Sequence, residues 1–154
     1  VAGTNMPTLI HERVRQCQTG EYAKAICRLS SGWVVLGDVQ HLRGYSLLLP
    51  DPVVPHLNEM EPEARKVFLY EMSVVGDVIL KITSAVRINY EMLGNIEPAL
   101  HAHIFPRFED EPDELKLKPV WFYQWNNAPE FDANRDRELM EAIAEGLERR
   151  GLIV

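Results

Sequence analysis

The sequence predicts an α+β domain: an antiparallel sheet of about five strands, a long helix packed on it and a C-terminal helix. Three observations carry this prediction. Short β-rich runs are broken by turn-forming residues, a proline-initiated segment carries one apolar stripe, and a second apolar repeat near the C-terminus ends in basic residues and glycine. With 154 residues, 46% hydrophobic and 25% charged, the chain suits one globular domain. That domain is expected over residues 6–154, because residues 1–5 precede a candidate initiator, Met6, and read as a remnant outside the fold.

Taken in order, residues 8–18 mix apolar and charged side chains at helical spacing and stop before Thr19-Gly20, which predicts a short first helix. Residues 25–29, 32–36 and 44–49 are β-rich runs separated by Ser30-Ser31 and a polar stretch, the pattern of an antiparallel meander. Pro50, Pro52 and Pro55 withhold backbone donors and favour an extended connection over the sheet edge. Pro62 suits the first turn of a helix, and Val67, Phe68, Met72, Val75, Val78, Ile79 and Ile82 follow as its stripe. Residues 86–90 and 99–108 read as two further strands joined by a loop that contains Leu93-Gly94-Asn95. Residues 109–129 are acidic, then proline-punctuated and aromatic, and predict a loop. Leu139, Met140, Ile143 and Leu147 mark the closing helix, which Arg149-Arg150-Gly151 terminates.

A formal net charge of −7 argues against nucleic-acid or anionic-membrane partners, which need clustered Lys and Arg. Apolar stretches are interrupted well before the roughly 20 residues of a bilayer span, so a cytoplasmic protein is expected. Cys17 and Cys27 stand without a second pair and read as free thiols.

The most informative segment is His101-Ala102-His103-Ile104-Phe105-Pro106-Arg107. In an extended strand alternate side chains share a face, so His101, His103, Phe105 and Arg107 point one way and Leu100, Ala102 and Ile104 the other. The second set can pack under the long helix and leave the imidazoles free to form a site. Imidazole titrates near neutrality and serves as nucleophile, acid, base or metal ligand. By pattern alone, two histidines at i and i+2 fit a catalytic pair or a metal-ligand spacing equally.

This segment resembles the second and third histidines of the histidine triad signature, H-x-H-x-H followed by apolar residues and often Pro-Arg. Upstream, Leu93-Gly94-Asn95 and Asn89 fall near the family's phosphate-approaching residues. Gly44-Tyr45-Ser46-Leu47-Leu48-Leu49-Pro50 resembles its Pro-Gly-His-x-Leu-Val-x-Pro strand, with only Gly44 kept from the Pro-Gly-His triplet. His56-Leu57 and Glu61-Pro62-Glu63 resemble the connection into its long helix. The resemblance covers residues 34–107. It departs at Ala99, where the family places its first triad histidine.

The resemblance implies a histidine triad fold, a homodimer, and a nucleotidyl hydrolase or transferase acting on a small-molecule nucleotide. His101 would be the nucleophile that carries a nucleotidyl intermediate, and His103 would bond a phosphate oxygen or the leaving group. Asn89 and Asn95 would donate to phosphate, Asp38 would accept from ribose unless it merely forms a turn, and Arg107 would lie at the periphery. No cofactor is required on this reading, although a divalent cation can accompany a polyphosphate substrate. Ala99 suggests slowed turnover, to be restored by Ala99→His, or a non-catalytic nucleotide-binding module. A metal site on His101 and His103 would need a third ligand such as His41, His56 or a carboxylate. Trp33 and the cluster of Trp121, Phe122, Tyr123 and Trp125 could stack on a base or pack in a core or dimer contact. His11, His41 and His56 otherwise read as solvated or capping residues.

Overall fold

The computed structural model describes residues 6–154; the five residues set aside above lie outside the described residues. Helix α1 spans Leu9–Thr19. It begins at Thr8, whose hydroxyl accepts from the Ile10 and His11 amides while His11 Nδ1 accepts from the Thr8 amide. His11 is thus a cap rather than a solvated side chain, and its reciprocal bonds satisfy otherwise orphaned helix-terminal donors. Gly20 closes the helix in the left-handed conformation, φ 77°.

Strands β1 (Ala25–Arg28), β2 (Gly32–Leu36) and β3 (Ser46–Pro50) form the expected antiparallel meander. Helix α2 runs Pro62–Thr83, with Pro62 in its first turn. Strands β4 (Arg87–Glu91) and β5 (Ala102–Arg107) complete a five-stranded sheet of order β1-β2-β3-β5-β4. A short helix α3 (Asp113–Lys116) and two 3₁₀ turns, Val120–Phe122 and Trp125–Asn127, give the aromatic segment more local structure than a loop. Helix α4 (Arg137–Arg149) closes the chain.

Strand alternation sorts the core onto both faces of the sheet. Val34, Leu36, Leu48, Ala102 and Ile104 face α2 and α4, meeting Phe68, Val75, Val78, Ile79, Ile143 and Leu147. The buried stripe of α2 is narrower than expected. Val67 and Ile82, on its flanks, are exposed. Close packing of α2 needs Gly76, where a Cβ would collide with the Tyr90 hydroxyl. Val35, Leu47, Leu49 and Phe105 face the other way, under Ile10, Val14 and Cys17 of α1 and against Val120. The imidazole-bearing face is therefore largely roofed rather than open, which corrects the expectation of a free face. Both cysteines are free, and burial pushes the Cys17 thiol up to about 11 and Cys27 up to about 12. Among the described residues no helix is long and apolar enough to cross a membrane.

Candidate active site

Strand β5 carries His103 at its second residue, between Leu47 of β3 and Glu91 of β4. His101 lies one residue before the strand, and the two imidazole centroids are 4.8 Å apart at 74°. His101 Nδ1 is 2.7 Å from the carbonyl oxygen of Ala99. A carbonyl only accepts, so Nδ1 carries the proton and the Nε2 lone pair of neutral His101 points away from the backbone. The ring is thereby held in the tautomer that a nitrogen nucleophile requires.

His103 is half-buried and lies 2.7 Å, through Nδ1, from the Tyr45 hydroxyl. Burial, then the neighbouring His101 and Arg13, push its pKa down to about 4, so it is neutral near pH 7. Tyr45 is buried and stacks on Phe105 at 4.0 Å, and its hydroxyl is held protonated above the ordinary tyrosine range, chiefly by burial. Trp121 packs edge-on against His103 at 5.3 Å and against Phe105 at 5.7 Å. Its indole N–H donates to Glu91, the residue paired with His103 across the sheet. The aromatic segment thus covers one side of the His103 ring.

No protein-family model and no curated protein matches the sequence significantly. A histidine triad protein from Sinorhizobium meliloti superposes with TM-score 0.68 at 25% identity, covering 86% of this chain and 93% of that one. A histidine triad protein from Marinobacter aquaeolei gives 0.72 at 20% identity over 92% and 97% of the two chains. A histidine triad nucleotide-binding protein from Sulfolobus tokodaii gives 0.70 at 15% identity over 90% and 92%. This chain has the histidine triad fold.

Within the histidine triad fold, Ala99 occupies a closed position. It is fully buried in the cluster that contains Tyr45, Leu47, Phe105 and the α1 stripe. Arg107 departs from its expected peripheral place at the site. Nε and Nη2 donate to Glu111, Nη1 to Asn89 Oδ1 and the Lys118 carbonyl, and Nη2 also to the Leu115 carbonyl. Every guanidinium N–H is matched within the protein, so Arg107 fastens the 109–119 segment to the sheet. The reason is Glu111, which lies four residues beyond and turns back onto β5.

Asn89 lies on the imidazole face, paired with Phe105. Its Oδ1 is taken by Arg107, while its amide N–H groups have no partner among the described residues. It lines a cavity of about 560 Å³ with Arg87, Glu91, Lys116 and Lys118, beyond the imidazoles. Asn95 is exposed in the β4–β5 loop, with no side-chain hydrogen bond among the described residues. Asp38 is half-exposed and pairs with Arg13 and Lys24, both at 2.6 Å. Burial raises its pKa, but the two cations outweigh burial and hold it below the ordinary carboxylate range.

The other histidines do not join the pair. His41 Nε2 donates to the Gln124 carbonyl at 2.7 Å and packs at a tilt against Tyr123 and edge-on against Trp125, and His56 lies near Glu59 on the surface. Among the described residues no group of three or more His, Cys, Asp or Glu converges on one point, so the metal reading lacks its third ligand. Trp33 is engaged with Asp51 and Arg28. Sequence reasoning missed Tyr45, Glu91 and Trp121 as neighbours of His103. The strand register could have found Glu91, but Tyr45 and Trp121 arrive from 58 and 18 residues away through tertiary packing.

Proposed function

We propose that this chain is a nucleotidyl hydrolase or transferase, cleaving a phosphoanhydride or phosphoramidate of a nucleotide through a covalent intermediate on His101. The observation that carries the reading is the bond between His101 Nδ1 and the Ala99 carbonyl, which leaves Nε2 as the nucleophilic atom. Nε2 attacks the α-phosphorus, forming a P–N bond as the bond to the leaving group breaks with its electron pair; a phosphate leaving group departs as the anion, and an amine takes a proton from water as it leaves. The ring becomes an imidazolium that keeps its Nδ1 proton, and the Ala99 carbonyl faces the new positive charge. Water then attacks the same phosphorus, the P–N bond breaks, and His101 returns neutral while water's protons pass to product and solvent. Neutral His103 hydrogen-bonds a phosphate oxygen or the leaving atom, and the Asn89 amide and Asn95 supply neutral donors. Asp38 takes the ribose side, sharing its oxygens with Arg13 and Lys24.

The description of the Sulfolobus tokodaii protein as nucleotide-binding supports the ligand class. A binding module without turnover is the competing reading, favoured by alanine at position 99. The test is to quench the protein at high pH during turnover of labelled dinucleoside polyphosphates and nucleoside phosphoramidates, then map the adduct by mass spectrometry. One nucleoside monophosphate on His101, absent in His101→Ala, is expected. Binding of nucleoside monophosphate with no adduct and no turnover would select the module.

The same reading includes a homodimer. Strand β4 is a sheet edge, and Tyr70 and Ile82 of α2, Val86 before β4 and Tyr90 on it are exposed apolar side chains. Light scattering at tens of micromolar should give twice the chain mass; a monomer would remove the assembly from the proposal.

A further inference from the structure

We propose that Tyr45 is the positioning residue of His103: its hydroxyl donates to Nδ1 and holds the ring as the neutral Nε2–H tautomer, a fixed donor toward the reacting phosphate. Tyr45 stands where the histidine triad strand motif has histidine, so the device belongs to this chain's own residues.

A phenol hydroxyl can donate or accept, and so can either nitrogen of a neutral imidazole, leaving two arrangements for the 2.7 Å contact. If His103 Nδ1 donated, the Tyr45 proton would need another acceptor. Among the described residues Tyr45 Oη makes no other hydrogen bond, and the side chain is buried. Proteins rarely leave a buried donor unmatched. If Tyr45 donates, its proton and the Nδ1 lone pair satisfy each other, and the remaining imidazole proton sits on Nε2 at the opposite end of the ring.

The surroundings fit that assignment. Stacking on Phe105 fixes the Tyr45 ring, and a Cβ at Gly37 would collide with it, so the hydroxyl is aimed by packing on both sides. The charged and titratable groups around His103 are His101 before β5, Arg13 from α1 and Glu91 from β4, and Trp121 engages Glu91. With a pKa of about 4, His103 stays uncharged over the whole neutral range. It therefore donates to phosphate without acting as a general acid, and the two histidines differ in kind: a nucleophile held through Nδ1–H and a donor held through its Nδ1 lone pair.

Only the use made of Nε2–H rests on the proposed reaction; the tautomer can be read without any substrate. Two-bond ¹H–¹⁵N spectra of histidine-labelled wild type should show His103 protonated at Nε2 from pH 8 down to about 5. In Tyr45→Phe, which keeps the stacked ring, the Nδ1–H tautomer should become populated. That variant should also turn over a nucleoside phosphoramidate about tenfold more slowly, mainly in kcat, with no further loss when His103 is already phenylalanine. His103→Gln, whose amide donates without titrating, should retain more activity than His103→Ala. A wild-type His103 protonated at Nδ1, or a tautomer unchanged in Tyr45→Phe, would overturn the assignment. Absence of an adduct on His101 would instead overturn the proposed reaction, and the spectra would still decide the Tyr45–His103 pair.

Discussion

The Arg107 guanidinium and the Glu111 carboxylate form a buried ion pair, Nη2 to Oε1 at 2.9 Å, that ties the end of β5 to the turn four residues beyond it. Burial raises the Glu111 pKa, but Arg107, Tyr123 and the Phe108 amide together outweigh it and hold the carboxyl below its ordinary range. Removing one partner leaves the other charge buried, a loss of about 3–5 kcal/mol. Glu111→Ala is therefore expected to lower the unfolding free energy by an amount of this order, read from urea denaturation. A stability within 1 kcal/mol of wild type would show that the pair contributes little to the fold.

Ala99→His is expected to destabilise rather than accelerate. Sequence reasoning placed a missing imidazole here, but the Ala99 side chain is fully enclosed by the α1 side of the core. Overpacking a closed position costs about 1–3 kcal/mol, so the melting temperature should fall and turnover should not rise. A stable variant with faster hydrolysis would mean that the neighbouring core gives way easily.

His103 makes stability depend on pH in a defined window. Its folded pKa of about 4 lies below the ordinary 6.5, so the unfolded chain binds the extra proton between those values. Stability from this group is complete above about pH 6.5 and declines as the pH falls toward 4, with a slope of at most about 1.4 kcal/mol per pH unit. Asp136 acts lower. Burial raises its pKa, but Arg135, the Asp132 amide and Arg43 outweigh it and hold it at about 2, so its contribution persists until the pH drops below about 3.8. Urea midpoints from pH 4 to 8 should show the first slope in wild type and lose it in His103→Gln. Equal slopes in the two proteins would assign the effect elsewhere.

Trp121 helps keep His103 neutral by excluding water from one side of its ring. Trp121→Ala should therefore move the His103 pKa upward from about 4, as seen by NMR titration. A His103 pKa unmoved in Trp121→Ala would place its depression on burial by its other neighbours and on His101 and Arg13.

What the sequence determined on its own is whatever depends on short range. Period-two alternation within residues 99–108, of which the structure keeps 102–107 as strand, the 3.6-residue stripe after Pro62 and the turn residues between strands specified five strands, their antiparallel meander, the long helix and the closing helix. The same alternation put His101 and His103 side by side, which the 4.8 Å centroid separation confirms. Tertiary structure decided whatever depends on contacts between distant segments. That Arg107 meets Glu111 turned on how the 109–119 segment folds back, and whether position 99 can hold an imidazole turned on where α1 packs. Which proton His103 carries turned on a tyrosine 58 residues upstream. Local periodicity states which face a side chain takes; only packing between elements supplies the hydrogen-bond partners and the dielectric around it, and these set its protonation and role.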